Sequence, residues 1–247
     1  MTVTIHQLRV AVVIPTLNEE ETIGAVVAAV PRAEVNEIVV VDSGSKDRTP
    51  ELARAAGAQV ISVAEKGYGR ACRAGAEAAA DTDILVFLDG DGSDCPELIP
   101  LLIEPILNGG YDFVIGSRTR GAREPGSMGS HQILAGYFAG VLVNCLYGVG
   151  YTDMCPFRAI RRDVLECLGM REMTYGWNLE MQMRAARAGL RILEIPVAHR
   201  RRAGGVSKVS GTWVGTVKAS LRIIATLARV ALEGRSRAIL RKHHVNS

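Results

Sequence analysis

The stretch ILVFLDGDGSD, residues 84–94, joins a buried strand to a cluster of acids. Its first five residues, Ile84 to Leu88, are all apolar, which is typical of a strand covered on both faces of a sheet. Asp89 and Asp91 follow, and the glycine between them lets the backbone turn and approach a ligand closely. Two carboxylates at this spacing suit a hard divalent cation, Mn²⁺ or Mg²⁺, that also takes phosphate oxygens and water.

The same acids also fit a simpler interpretation, a polar turn that leads into the next helix. Asp94 precedes Pro96 and is expected to cap that helix. A single cap does not require Asp89 and Asp91 as well, so the pattern favours a metal site over a plain turn.

The composition is that of one α/β domain with or without an appendage. The N-terminus lacks a basic segment followed by a long apolar run, so no signal peptide is expected. The five cysteines are odd in number and lack CxxC spacing. They predict reduced thiols in a cytoplasmic protein rather than a disulfide framework or a zinc site.

Charge is distributed unevenly along the chain. The formal net charge is +3, yet residues 200–247 hold eleven Lys and Arg and a single acid, Glu233. The remaining residues hold eighteen basic and twenty-five acidic side chains, a net charge of −7. The basic C-terminal part implies an anionic partner, which can be a phosphate, a membrane surface or a nucleic acid.

Strands and helices alternate along the first half of the chain. Apolar runs predict strands at residues 9–14, 37–41, 59–63, 84–88 and 113–117, and the stretches between them predict helices at 20–30, 47–56, 66–80 and 96–108. This alternation is typical of a mainly parallel sheet with helices on both faces. Ligands of such sheets bind beyond the carboxyl ends of the strands. The polar clusters that follow the strands are Asn18 with Glu19, Asp42, Gly67 with Gly69, Asp89 with Asp91, and Arg118.

The usual phosphate-binding motifs are missing from these positions. No GxGxxG follows the first strand and no Walker lysine loop occurs. Another group must therefore hold a phosphate, and a metal ion on Asp89 and Asp91 would supply it.

The order of these segments resembles family 2 glycosyltransferases of the GT-A (Rossmann-like) fold. The matching segments are VIPTLNE at 13–19, VDSGSKDRT at 41–49, KGYG at 66–69 and DGD at 89–91. Further segments look like the dolichol-phosphate mannosyltransferase-like polyprenyl-phosphate sugar transferases. These are GSR at 116–118, Asp153 with FR at 157–158, and Arg202 with GVSK at 205–208. The resemblance spans about residues 9–218 and implies a GT-A domain at residues 1–212.

Two positions depart from the family pattern. Ser43 stands where the family often has a second acid after Asp42, and Ser93 stands where some relatives supply a third metal ligand. A water molecule or Asp94 would have to take that third place.

The resemblance implies a donor site for a nucleotide sugar, UDP- or GDP-linked. Asp42 would accept a hydrogen bond from the imide N–H of the base, although it can also cap the following turn. Asp89 would contact ribose or metal, and Asp91 would bind the metal that stabilises the leaving nucleoside diphosphate. The full set of expected donor-binding residues is Pro15, Leu17, Glu19, Asp42, Lys66, Gly67, Asp89, Gly90 and Asp91.

The expected catalytic residues are Asp91, Arg118, Glu180, Arg202 and Lys208. The three cations among them suit the phosphate of a polyprenyl-phosphate acceptor, which is ionised at neutral pH and needs no base. Alternatively, Arg202 and Lys208 clamp the donor diphosphate or pair with surface acids. Glu180 corresponds to the general base of many inverting relatives; with a phosphate acceptor it would instead orient the cations or the sugar.

The second half of the chain is less regular. A helix is expected over 130–148, which is too short to span a bilayer and either packs against the sheet, the favoured interpretation, or lines an acceptor groove. His131 can touch an acceptor phosphate or act as a structural cap. A further helix is expected over 177–188, and a basic amphipathic helix and cationic tail over 213–247. That last helix can lie in a membrane interface, pack on a partner chain, or cover the domain.

The resemblance, together with these residues, implies an inverting, metal-dependent transfer of a hexose from a nucleotide sugar to a polyprenyl-phosphate. The protein is expected in the cytoplasm, with peripheral contact to the inner face of the membrane. A homo-oligomer is compatible with this interpretation. A second hypothesis keeps the donor site but has a soluble hydroxyl or phosphate acceptor, such as a phosphoglycerate-type molecule. A third is a non-catalytic anion-binding module with its tail on RNA or lipid. The acids at residues 89–94 argue against the third, because a nucleic-acid surface gains nothing from carboxylates, so no nucleic acid is expected.

Overall fold

The structure is a computed structural model and describes residues 8–204 and 225–233. Lys208 with its glycine loop, most of the expected amphipathic helix, and the cationic tail after Glu233 lie outside the described residues. The expectations for them, and the domain boundary at residue 213, stay predictions.

Seven strands form one sheet in the order β3-β2-β1-β4-β6-β5-β7. Neighbouring strands are parallel except at β6, which runs antiparallel to both β4 and β5. The mainly parallel α/β sheet is therefore confirmed. The strands are β1 (Val10–Thr16), β2 (Glu37–Asp42), β3 (Gln59–Ser62), β4 (Ile84–Phe87), β5 (Phe113–Ser117), β6 (Arg158–Arg161) and β7 (Ile192–Pro196).

Helices cover the central strands on both faces. Successive side chains of a strand point to opposite faces, and every residue from Ile84 to Leu88 is fully buried. The helices are α1 (Ile23–Ala28), α2 (Thr49–Ala55), α3 (Tyr68–Ala78), α4 (Ile99–Gly109), α5 (Ser130–Tyr147), α6 (Arg162–Leu168) and α7 (Trp177–Ala188). Residues 225–232 are also helical and are called the C-terminal helix below.

Close packing of α3 against the sheet depends on one glycine. A Cβ atom at Gly75 would collide with the side chains of Val13 on β1 and Val41 on β2. Because α3 lies this close to two strands, its N-terminal end at Tyr68 is held beside the ends of those strands, where the site forms.

Several local expectations were wrong. Asp94 does not cap the next helix, because its carboxylate accepts the backbone N–H of Asp89 at 3.0 Å, and a 3₁₀ turn (Pro96–Leu98) leads into α4. Strands β6 and β7 were not predicted. In β6 the charged Arg158 hides the strand pattern, yet it is fully buried, with its guanidinium 5.8 Å from the centre of the Phe113 ring.

The sequence favoured packing of α5 against the sheet, but its main packing partner is α7. The helix also approaches the backbone of Tyr151 through a small residue. A Cβ atom at Gly140 would collide with the carbonyl oxygen of Tyr151. Its large side chains point away, and Leu134, Tyr137 and Phe138 are 55%, 60% and 61% exposed. The helix therefore presents an apolar outer face.

Candidate active site

A cleft of about 540 Å³ opens at the carboxyl ends of β1 and β4. Most of the residues predicted from the sequence line it: Pro15, Leu17, Glu19, Lys66, Gly67, Asp89, Gly90, Asp91, Arg118 and Arg202. They come from loops far apart in the chain, and the sheet topology brings them together because parallel strands end at the same edge.

The loop after β4 is ordered by its own side chains. Asp91 Oδ1 accepts hydrogen bonds from the backbone N–H of Ser93 at 2.9 Å and from the Ser93 hydroxyl at 2.6 Å. Ser93, which stands where some relatives supply a metal ligand, thus orients Asp91. Asp94 is buried below the loop, with its Oδ1 3.7 Å from Nδ1 of His199.

Burial and the neighbouring acids disfavour ionisation of Asp89. Burial, followed by the charges of Asp91 and Asp94, raises the pKa of Asp89 well above its usual range, although Arg118 and Arg202 act in the opposite direction. A cation beside Asp89 would favour its ionised form.

Arg202 bridges two acids across the cleft. Its Nη2 lies 2.7 Å from Glu19 Oε1 and its Nε lies 3.2 Å from Asp91 Oδ2. Glu19 is itself buried, and its backbone N–H donates to the Thr49 hydroxyl at 2.8 Å. Arg202 thus lies among the expected donor-binding acids, which matches the alternative in which it pairs with acids or clamps a diphosphate.

Arg118 is held in a fixed orientation by Asp153. The pair is bidentate, with Nε to Oδ2 at 2.7 Å and Nη2 to Oδ1 at 2.8 Å, and the backbone N–H of Arg118 donates to Oδ2 at 2.9 Å. Burial alone would raise the pKa of Asp153, but the hydrogen bonds and charge of Arg118 lower it overall. The Nη1 atom of Arg118 has no partner within residues 8–204 and 225–233.

Asp42 lies beside the cleft rather than on its wall. Its buried carboxylate accepts the backbone N–H groups of Gly44 and Ser45 at 3.2 Å, while Ser43 lines the cleft. The structure thus shows the turn-capping contacts of Asp42, and its contact with a base stays a prediction.

Glu180 is not brought to the cleft. It is fully buried on α7, and its Oε2 accepts the backbone N–H groups of Arg171 and Glu172 at 2.9 and 2.6 Å. Its Oε1 pairs with Arg184 and Arg229, each at 2.9 Å. These contacts pair Glu180 with arginines outside the cleft. Its expected role as a base, or in orienting the cations or the sugar, stays a prediction.

Some residues that line the cleft were not singled out from the sequence. They are Tyr175, His199, Ser127 and Gln132, among others. His199 directly precedes three arginines and Tyr175 lies beside the WNLE segment, but neither belongs to a motif whose spacing would have shown it. The side chain of His131 is outside the described part of the structure.

The residues present fit a divalent ion. Among the described residues, no three His, Cys, Asp or Glu side chains are grouped to hold a metal by themselves. Two carboxylates nevertheless suffice for Mg²⁺ or Mn²⁺ when substrate phosphates and water supply the other ligands. The guanidinium of Arg202 beside Asp91 shows that positive charge is favoured at this position.

Within the described residues, no helix combines the length and apolar character that crossing a bilayer requires.

Comparisons with known proteins agree on one family. The family model described as glycosyl transferase family 2 matches residues 11–169. A dolichyl-phosphate hexose transferase of Haloferax volcanii is 39% identical over 78% of this chain and 84% of its own length. An undecaprenyl-phosphate mannosyltransferase of Micrococcus luteus is 33% identical over 84% of this chain and 90% of its own.

Solved structures show a similar fold. Glucosyl-3-phosphoglycerate synthase of Mycobacterium tuberculosis, in complex with Mn²⁺, uridine diphosphate and glucosyl-3-phosphoglycerate, has a TM-score of 0.72 and 26% identity. The similarity covers 91% of this chain and 80% of that one. The GT-A fold expected from the sequence is confirmed.

Proposed function

Because the chain belongs to glycosyl transferase family 2, it is a glycosyltransferase, and we propose that it transfers a hexose to a polyprenyl-phosphate. The donor in this proposal is a UDP- or GDP-linked sugar, and the transfer inverts the anomeric carbon. The polyprenyl-phosphate enzymes among its relatives support the acceptor, and the uridine diphosphate complex of a structural relative supports the donor class.

The observation that carries the proposal is the juxtaposition of acids and arginines in one cleft. Asp89 and Asp91 lie beside Arg118 and Arg202. When bound, a divalent ion on the two acids would stabilise charge on the departing nucleoside diphosphate. Arg202 would clamp the diphosphate, and Arg118, fixed by Asp153, would hold the acceptor phosphate in line with the anomeric carbon.

A phosphate acceptor also agrees with the position of Glu180. A sugar or glycerate hydroxyl needs a base to take its proton, whereas a phosphate oxygen is already ionised. Since Glu180 is buried among arginines away from the cleft, the acceptor that requires no base is the better fit. The soluble hydroxyl acceptor becomes an outcome of the experiment below.

The outer face of α5 supports a lipid-linked acceptor at a membrane surface. Gln132, near the start of α5, lines the cleft, and the exposed side chains of Leu134, Tyr137 and Phe138 begin within two turns of it. The sequence of α5 contains no Lys, Arg, Asp or Glu. A polyprenyl chain leaving the cleft would meet this apolar face, and we propose that the protein contacts the cytoplasmic leaflet there.

The test is a transfer assay with purified protein. Labelled UDP- and GDP-hexoses are offered with a short-chain polyprenyl-phosphate in detergent, or with 3-phosphoglycerate, in Mn²⁺ or in chelator. We expect a lipid-linked product from one donor class, in metal only. A product on 3-phosphoglycerate alone would replace the lipid by a soluble acceptor, and full activity in chelator would remove the metal from the proposal.

A further inference from the structure

A buried cluster of opposite charges lies behind the cleft and is not used in the proposed reaction. Glu172 and Glu180 are 3% and 0% exposed. The C-terminal helix supplies two of their partners: Thr226 Oγ1 donates to Glu172 Oε2 at 3.0 Å, and Arg229 Nη2 lies 2.9 Å from Glu180 Oε1. Arg184 on α7 supplies another at 2.9 Å.

The two acids fold the segment 171–175 into shape. Glu180 accepts the backbone N–H groups at the start of that segment, and Glu172 Oε1 accepts both the backbone N–H and the hydroxyl of Thr174, at 3.0 and 2.6 Å. The segment contains no helix or strand. Its backbone conformation is therefore fixed largely by these side-chain hydrogen bonds.

Segment 171–175 in turn holds the N-terminus of α3. The backbone N–H of Arg70 donates to the Met173 carbonyl at 2.9 Å, and that of Gly69 donates to the Thr174 carbonyl at 3.3 Å. The first N–H groups of a helix lack partners within the helix, and here the segment provides them. The contact is close, since a Cβ atom at Gly69 would lie 2.9 Å from the Met173 carbonyl carbon.

Residues next to this contact, on the α3 side and on the side of segment 171–175, line the cleft. Lys66 and Gly67, directly before α3, line it, and so does Tyr175 at the end of the segment. A continuous path of hydrogen bonds therefore runs from the C-terminal helix through Glu172 and the segment to the wall expected to bind the donor.

We propose that Thr226 and Arg229 are positioning residues, which set the donor wall of the cleft through segment 171–175. The functional part of this inference rests on the proposed function. The physical reason is that buried carboxylates require compensating partners. If the Thr226 hydroxyl and the Arg229 guanidinium are removed, the remaining partners of Glu172 and Glu180 must rearrange. Segment 171–175, which is bound to both acids, then moves with them.

The experiment compares Thr226→Val, which keeps the shape and removes the hydroxyl, with Thr226→Ser, which keeps the hydroxyl. Leu232→Ala is the control on the same helix, because Leu232 is 84% exposed. The first measurement is hydrogen exchange of the amides of Gly69 and Arg70. In Thr226→Val we expect exchange about tenfold faster, as for the loss of a hydrogen bond to a charged group. The amide of Leu52 in α2, which donates to Arg48, should not change.

The second measurement is the affinity for uridine and guanosine diphosphates and the kinetics of transfer. We expect KM for the donor to rise several-fold in Thr226→Val while kcat changes by less than twofold, and both values to return in Thr226→Ser. Arg229→Met should act in the same direction. A Thr226→Val protein with wild-type exchange at Gly69 and Arg70 would overturn the inference. An equal rise of the donor KM in Thr226→Ser and Thr226→Val would also overturn it. If the wild type binds no nucleotide, the proposed function fails, while the exchange data still test the positioning role.

Discussion

Asp91 uses both of its carboxylate oxygens within the cleft, one toward Ser93 and one toward Arg202. An ion that binds Asp91 must therefore share Oδ2 with a guanidinium or displace it. This arrangement keeps positive charge beside the acids in either case, and we expect the proposed metal-dependent binding to depend most directly on Asp91.

The first prediction concerns Asp91→Asn, which removes the charge but keeps an oxygen that can accept from Ser93. The Mn²⁺-dependent part of nucleotide affinity should fall by about 10- to 100-fold, the scale of a charge-assisted interaction, while the melting temperature changes little. Calorimetric titration of nucleotide with and without Mn²⁺ measures this. Asp81→Asn, at an exposed position, controls for net charge. An Asp91→Asn protein that binds nucleotide as tightly as the wild type in Mn²⁺ would contradict the assignment.

The second prediction separates two roles of Asp42. If its carboxylate accepts the imide N–H of a base, Asp42→Asn should weaken donor binding by about 1–3 kcal/mol, because the amide nitrogen is a donor. If Asp42 only accepts the N–H groups of Gly44 and Ser45, the free energy of unfolding falls and donor affinity does not. Calorimetry together with urea denaturation measures both quantities in the same protein.

The third prediction concerns the pH dependence of stability at Asp153. Its folded-state pKa lies below the ordinary value of 3.8, so its stabilising effect is fully present above about pH 4 and is lost as the pH falls through the folded-state pKa. Asp153→Asn leaves Arg118 without its buried partner and should cost about 3 kcal/mol at pH 7. In urea denaturation, the difference from the wild type should shrink below pH 4. A difference that is constant from pH 7 to pH 3 would exclude this pair as its source.

At the scale of elements, the sequence predicted those strands whose burial is visible as a continuous apolar run. The run from Ile84 to Leu88 and the run from Phe113 to Ser117 are apolar because both faces of the sheet are covered there, so the strands could be recognised without knowing their neighbours. Strand β6 could not, because the burial of Arg158 depends on Phe113 and on the carbonyl of Asn178, which are distant in the chain.

The same reason explains which site residues were found. Asp89, Asp91 and Glu19 belong to short loops directly after strands, and the fold alone places them in the cleft. The i,i+4 spacing of Glu180 and Arg184 within α7 was a local sign that this carboxylate is paired. Its second partner, Arg229, lies 49 residues further along, and no local pattern shows that contact.

The fourth prediction tests the outer face of α5. Leu134→Asp should reduce binding to vesicles of anionic lipid by at least about tenfold, because burying one leucine side chain contributes about 1.5–3 kcal/mol. Leu101→Asp is the matched control, since Leu101 on α4 is 53% exposed and Leu134 is 55% exposed. Co-sedimentation with the vesicles measures the difference. Equal losses in the two variants would count against a membrane face on α5, and dissociation of a dimer by Leu134→Asp would make that face an interface between copies.

At the scale of the whole molecule, charge is separated between a net-negative body, residues 1–199, and a basic C-terminal part, residues 200–247. The structure shows an ionic contact between the two parts. Glu233 is the last residue described, and its carboxylate lies 2.9 Å from Arg184 and 3.5 Å from Arg187. The single acid of the basic part therefore fastens the C-terminal helix to α7, and a truncation that removes it does more than remove positive charge.

The fifth prediction compares two truncations that differ by this residue. Deleting 234–247 removes four Lys and Arg and should weaken binding to anionic vesicles by about 1 kcal/mol for each cation, less in high salt, without lowering the melting temperature. Deleting 233–247 should weaken vesicle binding similarly and also lower the melting temperature. Thermal unfolding and vesicle titration at two salt concentrations measure both effects. Identical melting temperatures for the two truncations would show that Glu233 does not stabilise the contact between the C-terminal helix and α7.

The antiparallel strand β6 has a consequence for how such a chain can diversify. β5 and β6 are neighbours in the sheet, and everything between them, residues 118–157, is an excursion that starts and returns on adjacent strands. Lengthening such an excursion costs little conformational entropy, because the cost of closing a loop grows only with the logarithm of its length. Arg118, the whole of α5 and Asp153 lie on it. Evolution can therefore exchange the side proposed to hold the acceptor by insertion or deletion, without changing the strand register or the acids after β4.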